Sequence, residues 1–87
     1  MPRFAYTYLM KDEPERVRAA APGHAAYWHD LGPPGYLGGP FGDRSGGLIT
    51  FEAEDERAAR RLVDEDPFVR QDLLEASWLK EWAPEPP

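Results

Sequence analysis

Apolar residues dominate the stretch from Arg3 to Met10, which predicts the first strand. Phe4, Tyr6 and Tyr8 fall on one face, and Ala5, Thr7 and Leu9 on the other. Both sets are apolar enough that both faces are expected to be covered. Lys11-Asp12-Glu13-Pro14 opens a helix, because acids suit the positive end of its dipole and proline suits its first position. Pro22-Gly23 predicts an interruption, with a second helical stretch from about Pro22 to Leu31. There His24, Tyr27, Trp28 and Leu31 recur at i, i+3, i+4 and i+7 and share one face. If the break is only a kink, Val17, Ala20 and Ala21 continue nearly the same line. Gly32-Pro33-Pro34-Gly35 stops the helix.

Two further strands are expected, from Tyr36 to Phe41 and from Gly47 to Ala53, joined by the turn formers Gly42-Asp43-Arg44-Ser45-Gly46. Asp55 caps a second helix whose buried stripe is Ala58, Ala59, Leu62 and Val63. Asp66-Pro67 caps a further helical turn carrying Phe68 and Val69. The last strand is expected from Glu75 to Trp82, with Trp78 and Trp82 on one face and Leu79 on the other. The order strand, helix, strand, strand, helix, strand predicts an α+β, ferredoxin-like βαββαβ fold with a four-stranded antiparallel sheet. Residues 1–83 are read as one domain and 84–87 as a proline-rich tail.

Composition changes this picture in three ways. A domain of 87 residues buries only about 60–65% of its unfolded surface, so it gains from a partner. Helices cover one sheet face only, and the apolar residues on the other predict a homodimer with sheets face to face. The chain has no cysteine, which excludes disulfides, thiolate zinc sites and cysteine nucleophiles. Sixteen acids against ten bases, a net charge of -6, argue against nucleic acid as a partner. No apolar run approaches the roughly 18 residues of a membrane span, and the first residues carry no secretory pattern. The expectation is a cytoplasmic protein with no membrane contact.

Three short motifs resemble the YCII-related proteins: Gly-His-Ala-Ala-Tyr-Trp at 23–28, Gly-Gly-Pro-Phe-Gly-Asp at 38–43, and Asp-Glu-Asp-Pro-Phe-Val at 64–69. These are small ferredoxin-like domains similar to muconolactone isomerase that dimerise into an α+β barrel. The resemblance runs from about Phe4 to Trp82. It implies a histidine on the first helix and an aspartate from the region between the second and third strands, here His24 and Asp43. A basic residue usually precedes the proline ahead of that histidine, and Ala21 stands there in this chain.

Histidine exchanges a proton near neutrality, which suits His24 to general acid–base work. Read from the residues alone, Asp43 is also a good turn former, since its side chain bonds the backbone two residues on. Under the resemblance it would accept a hydrogen bond from His24 and fix the ring's tautomer, as in hydrolase triads. Ser45, flanked by glycine, reads as a turn residue. Tyr6, Tyr8, Trp28 and Phe41 are candidate walls of a substrate cavity, although aromatics at these spacings also build cores. Arg44 is a candidate for holding an anionic group. His29 lies about 140° round the helix from His24, so the two do not form a metal pair, and no metal is expected.

The resemblance implies a cofactor-independent isomerase, lyase or dehydrochlorinase acting on a small cyclic or aromatic-derived molecule. The alternative is a non-catalytic dimer that binds a small ligand or regulates. Haem is disfavoured because the chain offers no basic pocket for its propionates beyond scattered arginines, and RNA because the third strand lacks the basic start and paired aromatics that stack bases.

Overall fold

A computed structural model describes all 87 residues of the chain. It shows β1 (Arg3–Met10), α1 (Pro14–Leu31), β2 (Leu37–Pro40), β3 (Gly46–Glu52), α2 (Glu56–Asp64), α3 (Pro67–Arg70) and β4 (Leu74–Glu81). The four strands form one sheet in the order β2-β3-β1-β4, with every neighbouring pair antiparallel. This is the ferredoxin-like α+β arrangement.

Register explains the two faces of the sheet. Phe4 lies opposite Phe51, Tyr6 opposite Ile49 and Leu79, and Tyr8 opposite Gly47. These side chains point toward the helices and are buried, together with Ala20, Trp28, Ala59, Val63, Phe68 and Leu73. Trp28 of α1 lies 5.4 Å from the Phe51 ring and 6.3 Å from the Tyr6 ring, centre to centre, and so seats the helix on the sheet. Aromatic pairs of this kind each contribute about 0.5–1.5 kcal/mol beyond the area they bury. On the outer face Thr7 sits between Leu48 and Trp78, and both of these are exposed, as are Leu37 and Trp82. The alternation in β1 therefore yields one covered face and one uncovered face.

The expected break in the first helix is not made: α1 is continuous through Pro22. Pro22 is exposed, so the carbonyl that its missing N–H leaves free meets water, and Ala20 and Trp28 on either side of it are both buried. Gly32 ends the helix in the left-handed region, φ 50°, and donates its N–H to the Trp28 carbonyl at 3.0 Å. β2 is shorter than expected. Phe41 leaves the strand to start the turn, donating its N–H to Gly46 and accepting one from Arg44. No helix is long and apolar enough to cross a membrane.

Candidate functional site

Asp66 is the organising residue. Its main chain is extended, φ -61° and ψ 130°, so its carboxylate turns back over the start of α3 and accepts the Phe68 N–H at 2.8 Å. Pro67 at the first helical position needs no partner for the N–H it lacks, which fixes the cap locally. The packing of α1 against α3 then brings two more donors to the same carboxylate. Trp28 Nε1 donates to Oδ2 at 2.9 Å, and His24 Nδ1 lies 2.9 Å from both oxygens. Asp66 is wholly buried, and three donors compensate the water it has lost.

With Nδ1–H donated to Asp66, the free lone pair of His24 is on Nε2. That atom lies 3.3 Å from the Tyr8 hydroxyl. The imidazole stacks on the Phe68 ring at 4.1 Å and 16°, and meets the Tyr8 ring edge-on at 5.6 Å. Carboxylate, aromatic plate and phenol together hold the ring in one orientation. Burial, then the Asp66 carboxylate, then Tyr36, push the Tyr8 phenol up to about 12, so it remains a donor throughout the neutral range.

His24 and Tyr8 open on a cavity of about 410 Å³. Its apolar wall includes Met10, Val17, Tyr36, Ile49 and Phe68, and Arg44 stands on its rim. Gly47 makes the Tyr8 position possible. A Cβ there would press on the phenol and lie 2.7 Å from the Gly39 carbonyl.

The pairing expected between His24 and Asp43 is not made. Asp43 is exposed in the β2–β3 turn, and one of its oxygens accepts both the Ser45 N–H at 2.9 Å and the Ser45 hydroxyl at 2.6 Å. These bonds hold its carboxyl below the usual carboxylate range. The carboxylate against His24 is Asp66, 42 residues away in the chain. Of the expected cavity walls, Tyr8 and Arg44 are in place. Trp28 is fully buried behind the site as a donor to Asp66. Tyr6 lies under the helices, its hydroxyl buried without a partner, and burial followed by Asp66 raises its phenol. Phe41 lines a different groove, with Leu48 and Trp82 on the outer face of the sheet. No group of three or more histidines and acids is gathered in a way that would hold a metal ion.

The family model described as the YCII-related domain matches residues 3–83. The chain belongs to this family. Among solved structures, this YCII-related chain is similar to 5-chloro-2-hydroxyhydroquinone dehydrochlorinase from Burkholderia phenoliruptrix, determined in complex with 2,5-dihydroxybenzoquinone. The two share 24% identity over 93% of each chain, with a TM-score of 0.79. It is also similar to a protein from Arabidopsis thaliana, at 13% identity over 99% of this chain and 97% of that one, with a TM-score of 0.54. At these identities the likeness is one of fold. No curated protein matches the chain.

Three features of this YCII-related site escaped the sequence: the role of Asp66, the Phe68 ring stacked on His24, and Tyr36 in the cavity wall. Asp66 did carry a signal, since Asp-Pro-Phe-Val at 66–69 is at once a helix cap and one of the three family-like motifs. Tyr36 followed a Pro-Pro-Gly stop and offered no periodicity.

Proposed function

We propose that this YCII-related protein is a cofactor-independent enzyme that moves a proton on a small cyclic or aromatic-derived molecule, with His24 as the base and Asp66 as its orienting partner. The observation that carries the reading is the buried Asp66 carboxylate bonded to His24 Nδ1, which leaves Nε2 facing a cavity beside a protonated phenol. Asp66 fixes the tautomer and stabilises the imidazolium formed when Nε2 takes a proton. Without substrate the Tyr8 hydroxyl donates to Nε2. With substrate bound it turns to the oxygen on which charge develops, which frees Nε2 to take a proton and deliver it at another atom. In isomerisation the proton returns to another carbon, and in dehydration it goes to the departing hydroxyl. In loss of halide the pair left by the proton breaks the carbon–halogen bond, halide leaves as the anion and His24 passes the proton to water. The cavity, at about 410 Å³, falls in the range of small-molecule pockets, roughly 300–1,000 Å³. The similar dehydrochlorinase, whose substrate is a chlorinated hydroxyhydroquinone, makes halide elimination the first reaction to try.

A second copy of the chain completes the protein in this reading. Leu37, Leu48, Trp78 and Trp82 form an uncovered apolar face, and an antiparallel sheet buried on its outer side by its own copy gives a closed two-fold dimer.

Chloride release from 5-chloro-2-hydroxyhydroquinone, and ring isomerisation of small unsaturated lactones, are the assays. Wild-type protein is expected to turn over at least one of them. His24→Ala should remain folded and lose about 10²–10⁴-fold in kcat. Unchanged turnover in His24→Ala would end the proposal.

A further inference from the structure

Two hollows adjoin beside β1. The inner one holds His24. The outer one, about 640 Å³, shares Met10, Val17 and Arg44 with it. Their linings differ in charge. The chain as a whole carries -6, yet the outer hollow is lined by Lys11, Arg18 and Arg44 against the single carboxylate of Asp12. Lys11 is engaged by Asp72 at 3.1 Å. Arg18 and Arg44 make no ion pair with any residue of the chain.

The turn presents Arg44 without an ion-pair partner. Its φ is 66°, in the left-handed region that glycine fills at low cost and a residue with a Cβ does not. The adjacent Asp43 makes no ion pair with the guanidinium; one of its oxygens accepts both the N–H and the hydroxyl of Ser45. Arg18 reaches the hollow from α1, one turn ahead of Ala21, whose uncharged side chain lines the inner cavity.

We infer that the outer hollow is an anion subsite, in which Arg18 and Arg44 hold the delocalised oxyanion of a substrate whose ring lies in the inner cavity within reach of His24. This rests on the reading of His24 as base, and it narrows the substrate class to ring compounds bearing a carboxylate or an ionised enolic oxygen. Two uncompensated guanidinium groups at the mouth of an acidic protein concentrate such anions locally. Their donors also match a planar oxyanion better than a point cation would.

The probes are 2,5-dihydroxybenzoquinone, a vinylogous acid that is ionised at neutral pH, and 2,5-dimethoxybenzoquinone, its neutral analogue. Dissociation constants are measured by calorimetry or amide-shift titration for wild type, Arg18→Gln, Arg44→Gly and the double variant. The double variant is expected to bind the anion about tenfold or more weakly, while affinity for the neutral quinone changes less than about twofold. Added salt should weaken only the anion. Arg44→Gly relieves the left-handed strain, so its Tm should stay level or rise as anion affinity falls, which separates a lost contact from a damaged fold. Unchanged anion affinity in the double variant, an equal loss for both quinones, or no anion binding to wild type would overturn the subsite. The base reading fails separately, through turnover retained in His24→Ala. On a substrate that is turned over, the subsite variants should raise KM and spare kcat, whereas His24→Ala should lower kcat and still bind the anion.

Discussion

Asp66 and Asp43 begin from the same local chemistry and end in different roles. Each stands at a turn and accepts the backbone N–H two residues on, Phe68 at 2.8 Å in one case and Ser45 at 2.9 Å in the other. Nothing in that motif distinguishes them. The difference is what the fold lays over each. α1 crosses above Asp66 and adds His24 and Trp28 as donors, so the carboxylate is sealed from water with three partners. The β2–β3 turn projects into solvent, and the second donor that Asp43 finds is its own neighbour's hydroxyl. A cap thus becomes part of a reactive site only when long-range packing brings a titratable ring to its remaining lone pairs.

The sharpest way to break this comparison is to delete each carboxylate in turn. Asp66→Ala leaves the Trp28 indole N–H and His24 Nδ1 without their buried acceptor. Removing one partner of such a buried set costs about 3–5 kcal/mol. That is a large part of the roughly 5–15 kcal/mol that holds a domain folded. Asp43→Ala exposes the Ser45 N–H and hydroxyl to water, and should cost about 1 kcal/mol or less. Urea unfolding of both variants reads the difference. Equal losses would mean that burial over Asp66 has no energetic consequence.

Two glycines extend the contrast to the backbone, one against the Tyr8 phenol that faces His24 and one beside Asp43. A methyl at Gly47 would collide with the Tyr8 phenol, which cannot retreat without leaving His24, and would also crowd the Gly39 carbonyl. Overpacking of this kind costs about 1–3 kcal/mol, and Gly47→Ala should lower turnover as well by displacing the phenol. Gly42, beside Asp43, has nothing within 4 Å of the position its Cβ would take. Gly42→Ala should therefore change neither stability nor activity measurably. A tolerated Gly47→Ala would show that Tyr8 is not fixed against the imidazole.

The same contrast explains what could be read from residues in order and what could not. The strands, the two long helices and the antiparallel order followed from period-two and period-3.6 patterns, because burial acts on whole faces. His24 was legible for the same reason, since it shares the inward face of α1 with Tyr27 and Trp28. Its partner was not. Asp43 and Asp66 are both good turn residues, and the contact that separates them spans 42 residues. For Trp28 and Tyr6, aromatic character alone does not separate a cavity wall from the core. In the fold, one turns its N–H to Asp66 and the other is closed under the helices. Pro22 misled because the rule for proline in a helix ignores which side faces water.

The gentlest probe leaves both aspartate sites intact in shape and asks only where the negative charge lies. Burial raises the Tyr8 phenol from 10.0 to about 12, with Asp66 as the next cause, and Tyr6 moves in the same direction for the same two reasons. A phenol whose folded pKa lies above its unfolded value contributes stability that is complete below about pH 10. That contribution drains away as pH rises from 10 through about 12, because the unfolded chain ionises first. Asp66→Asn keeps the side-chain volume and removes the carboxylate, so Tyr8 should ionise at lower pH and the alkaline loss of stability should flatten. Asp43→Asn should leave the phenol where it is. Phenolate absorbance, with Tyr8→Phe subtracted to isolate the residue, follows the titration in each variant. A Tyr8 titration that moves with Asp43 and not with Asp66 would reverse the assignment of the two carboxylates.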